Sequence, residues 1–185
     1  MSRIESGESG PGASEDVAAP PGQAHADPDP VAAAKEIALR RLSVRARSRT
    51  ELARDLKTRD VPADVAAEVL DRFSEVGLID DAAFAAEWVE SRGGRSGASR
   101  LRQELRLKGV AEEHIADAIG ARDDDADLST ARGLAAQKAS SMAGLDEVVR
   151  RRRLTAFLGR RGFSSSVIRR VVEETLDVES DGFDD

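Results

Sequence analysis

The feature that most constrains this chain is a short basic helix pattern, followed by a turn, that occurs three times. The copies are ELARDLKTRDV (51–61), RLRQELRLKGV (100–110) and RLTAFLGRRGF (153–163). Each holds two leucines four residues apart, which face one side of a helix: Leu52 and Leu56, Leu101 and Leu105, Leu154 and Leu158. Recurrence at intervals of about 50 residues is typical of a tandem array in which neighbouring units complete each other's core.

Each copy ends at a residue that tolerates the left-handed conformation of a helix C-terminus, without steric cost at Gly109 and Gly162 and with a modest one at Asp60. Another helix should follow each turn, and its predicted inward residues are Val65, Val69 and Leu70, then His114, Ala118 and Ile119, then Val167, Val171 and Val172. A further amphipathic segment precedes each copy, at 33–42, 82–91 and 128–138. The repeating unit is therefore a three-helix unit.

Composition agrees with an all-α fold, because aromatic residues are only 3% and tyrosine is absent, which favours helices packed through small aliphatic side chains. The predicted organisation is a disordered acidic extension (1–30), three repeats (31–79, 80–122 and 123–176) and an acidic tail (177–185). The extension is rich in Gly, Pro, Ser and acidic residues and has too few large apolar residues to offset the entropy of ordering.

The net charge of −7 is distributed unevenly. Residues 1–30 and 177–185 carry −5 each, so residues 31–176 carry +3, and the cations concentrate on the middle helices and their approaches. If the units stack in register, these helices form one basic stripe. The candidate residues for binding a partner or DNA are Arg45, Arg49, Arg59, Arg100, Arg102, Arg106, Lys108, Arg150, Arg151, Arg160 and Arg161. The alternative is that each cluster is only a solvated helix face.

The sequence favours a binding protein over an enzyme. Cysteine is absent and the two histidines, His25 and His114, lie in a tail and on a helix pattern, so no nucleophile, base or metal-ligand set assembles. The stretch GGRSGASR (93–100) lacks the phosphate-cradling glycine motif and is interpreted as a flexible connector. We expect no cofactor and no metal.

The sequence also contains no apolar run of about 18 residues, and its N-terminal residues are acidic where a signal peptide would be basic and then apolar. The prediction is a cytoplasmic protein that makes no membrane contact.

Three segments in order resemble the RecX family of bacterial regulators of the RecA recombinase: ALRRLSVRARSRTEL (38–52), LIDDAAFAAEWVESR (78–92) and RLRQELRLKGV (100–110). A fourth, RRGFSSSVI (160–168), is similar to that family's third repeat. The resemblance implies an elongated, curved monomer that is not an enzyme. Such a protein binds RecA and its filament on single-stranded DNA and restrains ATP hydrolysis, strand exchange and filament growth.

Two helices joined by a short turn also describe a helix-turn-helix protein that acts directly on duplex DNA. The net charge of +3 on residues 31–176 is low for a protein that binds DNA mainly through its phosphates. The third helices, which would enter a groove, are acidic in the first two repeats. Weak, salt-sensitive contact with DNA remains compatible with the sequence.

Overall fold

The computed structural model describes residues 29–122 and 125–181, with side chains as far as Asp177. The helices in these residues are α1 (Pro30–Leu42), α2 (Arg49–Lys57), α3 (Ala63–Glu75), α4 (Asp81–Gly93), α5 (Ala98–Leu107), α6 (Glu112–Gly120), α7 (Ala126–Ser140), α8 (Glu147–Arg160) and α9 (Ser165–Asp181). They form an all-α fold of three consecutive three-helix repeats, as the sequence predicts. No described helix is long and apolar enough to cross a membrane.

Each repeat has a core of its own. Helices pack chiefly within their repeat, and the buried apolar residues divide into one cluster per repeat. The predicted leucine pairs of the middle helices are the centre of these clusters, since Leu52, Leu56, Leu101, Leu105, Leu154 and Leu158 are all 0% exposed. Burial of one leucine side chain stabilises the fold by roughly 1.5–3 kcal/mol, so each pair makes a substantial contribution to the stability of its repeat.

The turns after the middle helices have the predicted left-handed backbone. The φ angles are 58° at Asp60, 75° at Gly109 and 80° at Gly162. In each turn the next apolar residue donates its backbone N–H to the carbonyl of the second leucine, at 3.3 Å from Val61, 3.2 Å from Val110 and 3.4 Å from Phe163. This pattern closes a helix C-terminus and directs the chain into the third helix of the repeat.

Successive repeats meet head to tail through these turns. At the first junction, the hydroxyl of Ser48 donates to the Lys108 carbonyl at 2.6 Å, and the hydroxyl of Thr50 donates to the Gly109 carbonyl at 3.2 Å. At the second junction, the backbone N–H of Gly97 donates to the Arg161 carbonyl at 2.8 Å. The C-terminal turn of each later middle helix therefore docks on the start of the preceding one, and α8, α5 and α2 follow one another in series.

Side chains cap the starts of α2, α4 and α5. Ser48 accepts from the backbone N–H of Glu51, whose carboxylate accepts in return from the N–H of Ser48, which completes a capping box. Asp80 caps α4 by accepting from the N–H of Ala83 at 2.8 Å. At the second junction Asp127 caps α5 from outside the repeat, because its carboxylate accepts from the N–H of Ala98 at 3.0 Å.

One predicted core position needs correction. In α6 the fully buried residue is Ile115, with 0% exposure, whereas the predicted His114 is only partly buried, because the apolar side chain of Ile115 takes the inward place beside Ala118. The predicted Ala118 is buried and Ile119 packs against the core.

Helix α9 continues to Asp181, into the segment 177–185, because neither Gly nor Pro interrupts the chain before Gly182. At the other end, Asp29 caps α1 and Pro30 is its first residue. Residues 1–28 lie outside the described residues.

Candidate partner-binding surface

The candidate cations lie on middle helices that follow one another in series, but the structure shows that many are paired with carboxylates. Arg49 forms an ion pair with Asp71 at 2.6 Å, and Arg151 forms one with Glu147 at 3.0 Å. Arg150 is half-buried near the start of α8. Arg59 is exposed just after α2, where its guanidinium donates to the Asp55 carbonyl and forms no ion pair with a carboxylate of the described residues.

Lys108 joins the first two repeats. Its ammonium Nζ lies 2.7 Å from a carboxylate oxygen of Glu51 and 4.2 Å from the centre of the Trp88 ring, and its side chain is only 16% exposed. Arg45 contacts the same carboxylate at 3.1 Å. Burial alone raises the pKa of Glu51, but the hydrogen bonds from Arg45 and Lys108 outweigh burial and lower the pKa to about 2. Lys108 therefore holds the junction together and offers little charge to a partner.

Arg102 and Arg106 share one acidic partner. Their Nε atoms lie 3.4 Å and 2.8 Å from the carboxylate of Glu112, the second residue after the turn. The hydrogen bond from Arg106 is the main cause that lowers the pKa of Glu112. Both arginine side chains project away from the core, where they are 36% and 58% exposed. Glu112 nevertheless cancels part of their charge.

Five arginines line one cleft at the second junction. Arg100, Arg160 and Arg161 line a cleft of about 590 Å³ together with Arg92, Arg95, Ser96 and Glu104; we call these seven residues the arginine cleft. Arg100 bridges the junction, since its Nε contacts Glu104 at 2.9 Å and another of its nitrogens donates to the Arg160 carbonyl at 3.1 Å. Three of the eleven candidate residues are therefore brought together by the docking of repeat 3 on repeat 2.

Sequence reasoning missed Arg92 and Arg95. Arg92 directly precedes the glycine-containing stretch that was interpreted as a flexible connector, and Arg95 lies within it. The structure shows that this connector is docked. Gly97 is buried at the junction, where a Cβ atom would come within 2.7 Å of the backbone of repeat 3. The sequence did contain a signal, namely arginines beside a glycine-rich turn, since such a turn can pack against the basic turn of another repeat. Only the packing of the repeats shows that this other turn is the one at Arg160 and Arg161.

The chemistry that this surface offers is binding of anions. In the described parts of the chain, no cluster of three His, Cys, Asp or Glu side chains could hold a metal ion. Guanidinium groups that are held in place and lack a carboxylate partner are suited to phosphate or carboxylate groups of another molecule.

Models of the three domains of one family match this chain in order. They are described as RecX, first three-helix domain, at residues 34–73, RecX, second three-helix domain, at 80–119, and RecX, third three-helix domain, at 125–172. These matches correspond to the three repeats of the structure.

Full-length relatives and solved structures agree with the domain matches. Regulatory protein RecX of Streptomyces coelicolor is 44% identical over 155 residues, which cover 83% of this chain and 82% of that protein. Regulatory protein RecX of Thermobifida fusca is 40% identical over 162 residues, covering 86% and 88%. The crystal structure of RecX from Lactobacillus salivarius superposes with a TM-score of 0.73 at 22% identity, over 81% of this chain and 98% of that one, and so supports the fold. A second crystal structure of regulatory protein RecX has the same TM-score at 29% identity, over 78% and 74%. The chain therefore belongs to the RecX family of regulatory proteins, which are not enzymes.

Proposed function

We propose that this protein is a monomeric cytoplasmic regulator that binds RecA and the RecA filament on single-stranded DNA. By binding, it restrains ATP hydrolysis, strand exchange and filament extension, and so modulates DNA repair and recombination. Membership of the RecX family, in all three repeats and in order, carries this proposal.

The arrangement of the repeats supports a polymeric partner. An array whose units meet in series presents its surface over a long distance, and such surfaces suit partners that are themselves extended. A recombinase filament on DNA is a polymer of that kind. The proposed contact residues are the eleven candidate cations, of which Arg59, Arg160 and Arg161 contribute most because no described carboxylate neutralises them.

Electrostatic contact of this kind should accelerate association and depend on salt. The exposed ion pairs of Arg102, Arg106 and Arg151 leave these side chains available in part, since ion pairs in contact with water are weak and exchange readily for contacts with a partner. Lys108 differs, because its pair with Glu51 is part of the fold.

The proposal is tested by comparing three surfaces under the same salt conditions: RecA filaments on single-stranded DNA, the bare single strand, and duplexes of varied sequence. The expected result is tightest binding to the filament and no preference among the duplexes. Selective binding to one duplex sequence, with no additional affinity for the filament, would instead support a helix-turn-helix protein that acts on duplex DNA.

A further inference from the structure

The arginine cleft has a surplus of positive charge that the fold does not use. It contains five arginines and a single carboxylate, Glu104. That carboxylate is already engaged, because it accepts from the Nε of Arg100 at 2.9 Å and from the indole N–H of Trp88 at 3.1 Å. The other four arginines form no ion pair with any described residue. Like charges gathered in this way repel one another, so the cleft is stabilised when it holds an anion.

Two of these guanidinium groups are held in fixed positions. Arg92 lies over the Trp88 ring at 3.8 Å from its centre, and Arg161 lies over the Phe157 ring at 3.9 Å. Stacking orients the plane of a guanidinium and leaves its N–H edges free, which reduces the entropy lost when it binds an oxyanion. Ser96 also lines the cleft, and its hydroxyl makes no hydrogen bond to any described residue. A hydroxyl that is free to donate beside several guanidinium groups adds a further donor for a bound anion.

We propose that the arginine cleft binds consecutive phosphate groups of one single-stranded nucleic acid. The site is assembled only where repeat 3 docks on repeat 2, since Arg92, Arg95 and Arg100 come from one repeat and Arg160 and Arg161 from the next. This proposal rests on the proposed function and adds to it the place on the protein where the DNA strand binds.

The lining favours a phosphodiester strand over an acidic protein segment. All seven lining residues are polar or charged, whereas peptide grooves combine charge with apolar pockets or with an open strand edge. The two aromatic rings beside the cleft are covered by Arg92 and Arg161, so bases cannot stack on those faces. Binding should therefore depend on phosphates and be nearly independent of base identity.

The cationic path continues beyond the cleft on α8. Arg153 is exposed, has no described ion pair and precedes Arg160 by seven residues, which places the two on the same face of the helix about 10 Å apart. A strand that enters the cleft at Arg160 can thus extend along α8. A single small anion would gain nothing from Arg153, so affinity should increase with strand length.

The test is fluorescence anisotropy of labelled oligothymidylates with the full-length protein, in the absence of any recombinase, over a series of salt concentrations. The cleft variant is Arg95→Ala with Arg160→Ala; neither side chain makes a hydrogen bond or ion pair with a described residue, so melting should not change. The control is Lys35→Ala with Arg169→Ala, two exposed and unpaired cations outside the cleft whose loss changes the net charge equally.

The expected result is at least tenfold weaker binding by the cleft variant at low salt, and a salt dependence shallower by about 1.4 in log–log slope, because each lost phosphate contact on a single strand contributes about 0.7. The control should bind as the parent does. An abasic strand of the same length should also bind as well as oligothymidylate.

Three results would overturn the proposal. An equal loss of affinity for the oligonucleotide in the cleft variant and in the control would show that net charge alone governs binding. Loss of binding to the abasic strand would show that bases are recognised. Competition by a polyglutamate peptide as effective as that by the oligonucleotide would identify the cleft as a site for acidic protein segments. None of these results bears on regulation of RecA, which is measured separately with filaments.

Discussion

Replacement of Gly162 by alanine is the sharpest test of how the repeats are joined. A Cβ atom at this position would overlap the backbone N of Arg100 and lie 2.9 Å from its Cα, at the start of α5. Backbone at a helix start cannot rotate away as a side chain can, so the turn and α5 must separate. Gly77 provides a matched control, because its φ of 73° is close to the 80° of Gly162 and a Cβ atom added there would meet nothing within 4 Å.

The magnitudes follow from these two environments. Gly77→Ala should cost about 1 kcal/mol, because the left-handed penalty of about 1–2 kcal/mol is partly offset by the lower entropy of the unfolded chain. Gly162→Ala carries the same cost and adds overpacking of about 1–3 kcal/mol, for a total of about 2–4 kcal/mol. Gly109→Ala should cost about as much as Gly162→Ala, because the added Cβ atom would lie 2.5 Å from the Cβ atom of Thr50, which rotation of that side chain does not move.

The assay is urea unfolding of the three variants, followed by circular dichroism. The measured quantity is the free energy of unfolding relative to the parent. Equal losses for Gly77→Ala and Gly162→Ala would refute head-to-tail docking at the second junction, since only the conformational penalty would then remain.

Further predictions concern the core, one ion pair and the exposed cations. Leu105→Ala should lower the free energy of unfolding by about 2–5 kcal/mol, because Leu105 is 0% exposed, and an unchanged melting temperature would exclude it from the core. The ion pairs of Glu51 contribute their full stabilisation above its unfolded pKa near 4.5, and this contribution is lost as the pH falls toward the folded pKa of about 2. The urea midpoints at pH 5 and pH 2.5 should therefore differ more in the parent than in the Glu51→Gln variant. Reversal of Arg102 and Arg106 to Glu should weaken inhibition of RecA at least tenfold, or about 1.4 kcal/mol, with little change in melting. Adding Glu112→Arg to this double variant restores pairs of opposite charge with residues 102 and 106 but should not restore inhibition of RecA. Full inhibition by the double variant alone would show that RecA is contacted elsewhere.

Most of the fold could be predicted from the sequence because it depends on local patterns. Leucines at i and i+4, a residue at each turn that tolerates positive φ, and the capping box at Ser48 all act within about ten residues. His114 was wrongly predicted to face the core because it is adjacent to Ile115, and the sequence pattern allows either residue to point inward. The packing of α6 on α4 places Ile115 in the core.

The candidate surface was less predictable, because pairing of charges depends on contacts between distant residues. Lys108 meets Glu51 from the preceding repeat, and Arg49 meets Asp71 from the next helix. No local pattern distinguishes such a paired cation from a free one. The arginine cleft escaped notice for the same reason, since Arg95 and Arg160 are brought together only by docking of one repeat on another.

The most direct test of the central claim is the rate of ATP hydrolysis by the matching RecA on single-stranded DNA, measured as this protein is added. We expect the rate to fall with increasing protein and the fall to be weaker at high salt. The control variant Lys35→Ala with Arg169→Ala should inhibit RecA as the parent does. An unchanged rate at concentrations of protein well above that of RecA would contradict the claim that this protein restrains the filament.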